Sequence, residues 1–522
     1  MRNASIHVKL QTICLSLVCA LAIPGFAVTP QFTQETDAVV VGAGGAGLSA
    51  AQTLLEGGAK VIVFEQNPFP GGTSNVAEGI FGAETKMQRD HYFSVPVQTK
   101  DSLFKHEMEF NHWKANASLV RWFVNQSADT IDWLASEGVP FEEVSQTTFD
   151  GVRTWHVIKG HGATLVKVLF GKVKQNPNAT VMMETAAVDL ITDGQNNVIG
   201  VVAKNKDGEI RIKAKAVILA TGGFADNPEM VKQYAGNSFS GSVANFHKVG
   251  FGIKMAQKVG AEVEGMDVLM NSAVYDKKRP AVPGPANPTD LQFDAVSQQP
   301  MNIMVNVDGE RFCDETIANN FILQSNAIAR QPGNYAWVIF DNNLRRHYAD
   351  DGIDGGMGVI VPAGSKVEKF DKALDQYVQE GDRNVFSADT PEELAAKIHV
   401  PAESLRKTIA EYNHAAAVNL DEAFDKDRHF IKPLTGKLYA FREVINYLVT
   451  GGGVKTNLQM QPLTKDRKPI QGLYVTGQDV GGINADTYGL SSPGTSFGFA
   501  VGSGRKAAQA ILATGKAVVG QN

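Results

Sequence analysis

Asp37-Ala-Val-Val-Val-Gly42-Ala-Gly44-Gly45-Ala46-Gly47 is a short apolar strand running straight into a glycine-rich turn. The turn opens a helix-like run to Glu56, Gly57-Gly58 end it, and Val61-Ile-Val-Phe64 form a second strand closing on Glu65. A lone G-x-G-x-x-G is a weak signal. Here it lies between strand and helix, with an acid 23 residues after its first glycine, which is the context of a dinucleotide-binding unit. Gly42 permits the tight turn, Gly44 lets the backbone approach a pyrophosphate, and Gly47 allows the helix to pack on the strand. The helix N-terminus, with Gly45 and Ala46, faces the phosphates, and Glu65 can accept hydrogen bonds from a ribose 2′-hydroxyl. The bland alternative is a glycine-rich turn in an ordinary α/β protein.

Further glycine-rich segments follow. Gly71-Gly72-Thr73-Ser74-Asn75 comes directly after the second strand. Far downstream, Ala216-Val-Ile-Leu-Ala-Thr221-Gly222-Gly223 follows a hairpin pattern whose turn is Asn205-Lys-Asp-Gly208. Near the C-terminus, Gly472-Leu-Tyr-Val-Thr476-Gly477-Gln-Asp479 repeats the strand, glycine and acid theme. With these motifs in this order, from about Thr36 to Ala513, the sequence resembles the flavoprotein subunits of the fumarate reductase/succinate dehydrogenase family. The soluble exported flavocytochrome fumarate reductases are the nearest in pattern. The resemblance implies FAD rather than NAD, held in an α/β Rossmann-like domain (36–269 and 447–522) with an inserted α+β cap domain (270–446). It implies that Glu65 holds the adenosine ribose, that Asp479 binds the ribityl or phosphate end, and that Thr73, Ser74 and Gly79 lie along the flavin. Gly72, Thr221 and Gly222, with Gly494, Thr495, Ser496 and Phe497 near the C-terminus, complete the expected cofactor contacts.

Ser491-Ser-Pro-Gly494-Thr495-Ser496-Phe497 reads as the start of a helix running to about Thr514, with Ser492 as N-cap and Pro493 at the first helical position. Pointed at a flavin, that N-terminus would favour the anionic reduced form. Within the cap interval, Pro280, Pro283, Pro285 and Pro288 predict an extended loop. Thr390-Pro-Glu-Glu393 is a capping box that starts one helix, and a second amphipathic helix is expected to about Tyr412. In the family this interval is a mobile cap that closes over the flavin.

Hydrophobic residues make up 43% of the 522, which excludes a disordered chain, and a net charge of −6 argues against a nucleic-acid binder. Residues 1–27 read as a secretory signal peptide: Arg2 and Lys9, the apolar run Ile13–Ile23, then Gly25-Phe26-Ala27 before Val28. The run is too short to span a membrane. Removal leaves Cys313 as the single cysteine, hence no internal disulfide, iron–sulfur cluster or covalent haem. A soluble periplasmic protein is expected, with no membrane span and no resident metal.

The family's substrate-handling set is the part that departs. Ile303-Met-Val-Asn306 through Gly309-Glu-Arg311-Phe312 to Asp314-Glu315 matches well, yet Asn319 stands where the family has its proton-donating arginine. Asp294-Ala-Val-Ser297 keeps an acid of the relay and lacks its arginine. Leu448 or Val449 and Tyr488 replace a histidine and an arginine, a second histidine falls near Ser272, and Gly250-Phe251-Gly252 replaces Gly-Asp-Gly. Losing two or three charge-assisted contacts of ~1.5–3 kcal/mol each weakens fumarate handling by ~10³-fold or more.

Tyr275, Arg279, Asp294, Asn319, Tyr447 and Tyr488 are the candidate catalytic residues, and ordinary packing is the competing reading for the tyrosines. His156, His161 and His247 are read as structural. The expected activity is transfer of a hydride from reduced flavin to a small organic acceptor: an activated alkene, a sulfoxide or an enone. Electrons would arrive from a separate periplasmic c-type cytochrome, inferred from the family. The alternatives are a flavin dehydrogenase of ketosteroid type, fumarate reductase proper, and a non-enzymatic electron carrier.

Overall fold

The computed structural model describes residues 31–91, 99–147, 151–236, 246–276, 287–358 and 360–519. The signal-peptide reading, Arg279 and the first three loop prolines lie outside the described residues.

A seven-stranded sheet carries the glycine motifs. Its order is Ala179–Met182, Val61–Phe64, Gln34–Val41, Gly208–Leu219, Val198–Asn205, Ala186–Thr192, and Leu473–Val475 adds alongside Gly208–Leu219. The strands around the glycine turn run parallel, with Val40 opposite Val63 and Ile218. The end of the first strand is buried on both faces, as parallel strands covered by helices must be: Ala38, Val39 and Val40 have no exposed surface. The expected hairpin is present, with Asn205 paired to Gly208, whose φ of +127° only glycine adopts readily.

The helix Gly45–Glu56 packs on this sheet, and the long terminal helix, Thr495–Val519, packs on that helix in turn. Their contact is backbone-close: a Cβ at Gly504 would meet the Ala46 carbonyl at 2.1 Å.

A second, five-stranded sheet has the order Leu269–Tyr275, Leu438–Thr450, Tyr335–Asp341, Ile303–Val305, with Val385–Ala388 also on Leu438–Thr450. It has its own core, centred on Phe293, Phe340, Phe370 and Phe441. A buried ion cluster braces the approach to Asn319: Arg311 binds Glu315 at 2.7 Å and Asp421 at 2.8 Å, and Lys426 binds Glu315 at 3.2 Å. Burial pushes the Glu315 carboxyl up, but Lys426 and Arg311 outweigh it and hold it below the usual range.

Three local expectations are corrected. Pro288 opens a helix, Pro288–Ser297, because Asn287 caps Thr289 N–H and proline lacks only an N–H that first-turn positions leave unpaired. The helix after Pro401 runs on to Val418. The terminal helix starts at Thr495, so neither Ser492 nor Pro493 belongs to its first turn. Gly494 sits at φ +91°, and a Cβ there would lie 2.4 Å from the Phe81 nitrogen, so the chain turns into the helix only after that glycine has passed the strand Gly79–Phe81. The Thr390 cap is as read, accepting from Glu393 N–H.

Candidate active site

The first cavity, about 910 Å³, lies along the glycine turn. Gly42, Gly44, Gly45, Ala46, Glu65, Gly72, Thr73, Ser74, Thr221 and Gly222 all line it. Gly42 has φ +106°, and a Cβ on Gly47 would sit 1.8 Å from the Gly42 carbonyl oxygen, so the turn closes only with glycine at both places. Ala43 N–H donates to Glu65 Oε2 at 2.9 Å and Asn67 N–H to Oε1 at 2.9 Å, which fixes the carboxylate at the cavity wall. Burial raises the Glu65 pKa, and these backbone donors oppose the rise.

The far end of this cavity carries a group the sequence did not single out. Lys248 lines it while almost fully buried; its Nζ donates to the Leu448 carbonyl at 2.8 Å and lies 3.8 Å from Asp226. Burial lowers its pKa to about 8, against the pull of Asp226. His247 also lines the wall, its ring held on Asn67 Oδ1 at 3.0 Å.

A second cavity, also about 910 Å³, meets the first at Thr73, which lines both. Gln478 from the first wall bonds Ser496 of the second. Gly79, Gly494, Ser496 and Phe497 line the second cavity, opposite Asn319, Phe321, Leu448 and Val449 from the second sheet's side. Trp155, Met270, Met357 and Leu490 make it largely apolar. Among its described lining residues there is no arginine, lysine or histidine, and Glu78 is the single carboxylate.

Tyr488 lines this cavity with its phenol oxygen accepting from Ser496 N–H at 3.3 Å, the first turn of the terminal helix. Burial raises its pKa, and the nearby Glu107 and Glu78 carboxylates push it in the same direction. Glu78 and Glu107 are themselves pushed up to about 7 by burial.

The candidate catalytic residues therefore separate. Asn319 and Tyr488 share the cavity wall with Leu448 and Val449, the positions at which the resembled family carries cations. Tyr275 does not line it: its ring stacks on Phe293 at 4.4 Å within the second core, and its N–H donates to Asp294 Oδ1 at 2.8 Å. Asp294 is thereby spent on the backbone of that core. Tyr447 is buried against the first core rather than the cavity. Asp479 is also turned away; it accepts from Gly223 N–H and from the Thr221 hydroxyl, each at about 2.9–3.0 Å, clasping two loops. Thr495 and Gly47 sit behind the walls and shape them. His156 is buried between Thr85 and Thr154, with its pKa lowered to about 4 by burial, and His161 is exposed at a helix start. Glu78 is not among the residues the sequence motifs point to, although it lies inside the segment Gly72–Gly79; an acid among residues expected along a flavin is the signal that marks it.

The two cavities fit a dinucleotide that bears a three-ring head. The glycine cradle would be filled by any side chain, and the Thr73 hydroxyl, buried at the junction, has no hydrogen-bond partner among the described residues. A profile described as FAD binding domain matches residues 37–493. The vinyl phenol reductase of Lactiplantibacillus plantarum is 32% identical over 476 residues, covering 90% of this chain and 94% of that protein. The open conformation of a flavocytochrome c3 fumarate reductase superposes with a TM-score of 0.68 at 27% identity, covering 92% of this chain and 79% of that one. A 3-ketosteroid-Δ4-(5α)-dehydrogenase from Rhodococcus jostii gives a TM-score of 0.72 at 23% identity, over 93% of this chain and 98% of that one, a likeness of fold alone.

Proposed function

We propose that this chain, which belongs to the FAD binding domain family and is an FAD-dependent oxidoreductase, reduces the carbon–carbon double bond of a small, uncharged aryl alkene of the vinyl phenol class. The observation that carries this reading is the second cavity, apolar and without a cationic side chain among its described lining residues. A dicarboxylate placed there would lose its hydration with no counter-charge from the described lining residues, at a cost of ~1–3 kcal/mol or more for each unpaired group. An aromatic ring loses little and gains contact with Trp155, Phe321 and Phe497. The 32% identical relative named for vinyl phenol supports the same class.

Bound FAD supplies the hydride chemistry, and the protein supplies position and electrostatics. The Gly42–Gly47 turn would hold the pyrophosphate, Glu65 the ribose, and Thr73 the junction with the ring system. Asn319 and Tyr488 orient a polar oxygen on the acceptor, and the methionine and leucine walls exclude water. We propose further that residues 1–27 are removed on export, that the mature chain begins at Val28 in the periplasm, and that a separate c-type cytochrome delivers the electrons. N-terminal sequencing of the cell fractions checks the first two.

The function itself is tested by steady-state reduction of the purified yellow protein with a viologen donor. Turnover of vinyl phenol should exceed that of fumarate by ~10³-fold in kcat/KM, the loss expected from two or three missing charge-assisted contacts. Fumarate turnover equal to the best alkene would overturn the reading, as would bleaching of the oxidised protein by a saturated ketone with no alkene reduction.

A further inference from the structure

Reduction of an alkene needs a proton as well as a hydride, and the second cavity narrows who can give it. Asn319 stands where the resembled family has a donating arginine, and a carboxamide has no proton to transfer at neutral pH. Tyr488 is a poorer acid than a free phenol, and its oxygen is engaged by the Ser496 N–H at the start of the terminal helix. Gln298, Thr147, Thr73 and Ser496 are the other polar side chains on the wall and are not acids. One carboxyl is left among the described lining residues, that of Glu78.

We infer that Glu78 is the acid of this site, donating the proton that completes reduction of the double bond; the inference rests on the reading of the chain as an alkene reductase. In the step the carbon–carbon π bond breaks. One carbon receives the hydride, with its two electrons, from reduced flavin, and its neighbour takes the Glu78 proton in a new C–H bond. The carboxyl O–H bond breaks, leaving a carboxylate that solvent reprotonates. Alkene is reduced and flavin oxidised, two electrons and two hydrogens accounted for.

The position suits the role. Glu78 lies between Ala77 and Gly79, all three on the cavity wall, in the segment that begins at the junction residue Thr73. No ion pair or hydrogen bond to another side chain ties the Glu78 carboxyl among the described residues. Burial lifts its pKa to about 7, where an acid both holds its proton and gives it up readily. Tyr488, from the loop before the terminal helix, is the titratable group that faces it, with Glu107 of the helix Lys100–Phe110 behind that phenol.

The test uses the flavin-loaded enzyme, Glu78→Gln and Glu78→Asp, with vinyl phenol as acceptor. Wild-type kcat/KM should fall as pH rises through about 7, because only the protonated acid serves. Glu78→Gln should lose at least ~10²-fold, within the contribution general acids make, and should lose the falling limb. Glu78→Asp, keeping a carboxyl on a shorter arm, should be slow but retain the limb. An infrared difference between wild type and Glu78→Gln at about pH 6 should show a protonated carboxyl belonging to Glu78, a readout independent of turnover. A wild-type profile flat from about pH 6 to 8, a fully active glutamine variant, or a variant whose flavin potential shifts while the falling limb stays, each overturns the assignment while leaving alkene reduction standing. If wild type reduces no alkene, both fall.

Discussion

The phenol oxygen of Tyr488 accepts the Ser496 N–H at 3.3 Å, so a side chain of the acceptor cavity also caps the terminal helix. Four backbone N–H groups at a helix start lack internal partners, and a phenol meets one of them here. Tyr488→Phe keeps the ring and removes the acceptor. It should cost about 1 kcal/mol of stability, read by thermal melting of the flavin-loaded protein, and lower kcat/KM for a phenolic alkene more than for a hydrocarbon one. Equal loss for both acceptors would confine Tyr488 to the cap.

Glu65 offers both carboxylate oxygens at the first cavity's wall, each already oriented by a backbone N–H at 2.9 Å. Glu65→Gln replaces one acceptor oxygen with a donor and removes the charge. A charge-assisted bond is worth ~1.5–3 kcal/mol, so FAD should bind ~10- to 100-fold more weakly. Flavin released on exhaustive dialysis measures it, and retention equal to wild type would remove the ribose role.

Gly47→Ala should yield no soluble yellow protein. Its Cβ would stand 1.8 Å from the Gly42 carbonyl oxygen, a backbone atom, with no flexible side chain to yield. Gly58→Ala is the control, since a Cβ there meets nothing within 4 Å and the substitution costs only its φ of +82°. Expression yield and flavin absorbance compare the two.

Glu443 is fully buried in the second sheet's long strand, accepting from Gln324 Nε2 at 3.0 Å, and burial raises its pKa to about 8. An unfolded glutamate ionises near pH 4.5, so between about 4.5 and 8 the folded chain holds a proton that the unfolded chain has lost. Stability then falls with rising pH across that window, by about 1.4 kcal/mol per pH unit for one proton. Glu443→Gln should flatten the fall, visible in denaturant melts at about pH 5.5 and 7.5. A slope unchanged by the substitution would show Glu443 ionised in the fold.

The nucleotide side was legible because its rules are local. Gly42, Gly44, Gly47 and Glu65 act through spacing along one strand, turn and strand, and the backbone closes only with glycine at 42 and 47. The acceptor side was only half legible. Tyr447 and Leu448 are neighbours on a strand and so face opposite ways; a single sequence shows that a position has changed from the family's residue but not which neighbour fills the space. Tyr275 and Asp294 look like site residues for the same reason that buried aromatic and capping residues often do: they carry reactive groups, here used by the second core. Glu78 sits in irregular chain, where no periodicity tells in from out.

The strand Leu438–Thr450 belongs to both halves of the molecule: Phe441 is in the second core and Tyr447 in the first. Leu269–Tyr275 runs antiparallel beside it, with a register shift between Leu269 and Asn271. The two halves are therefore joined by a ribbon of paired strands rather than by slack chain, and a shift in register is where such a ribbon twists most easily. Any rotation of one half against the other is taken up as twist in these two strands, which carry Met270, Leu448 and Val449 of the second cavity's wall.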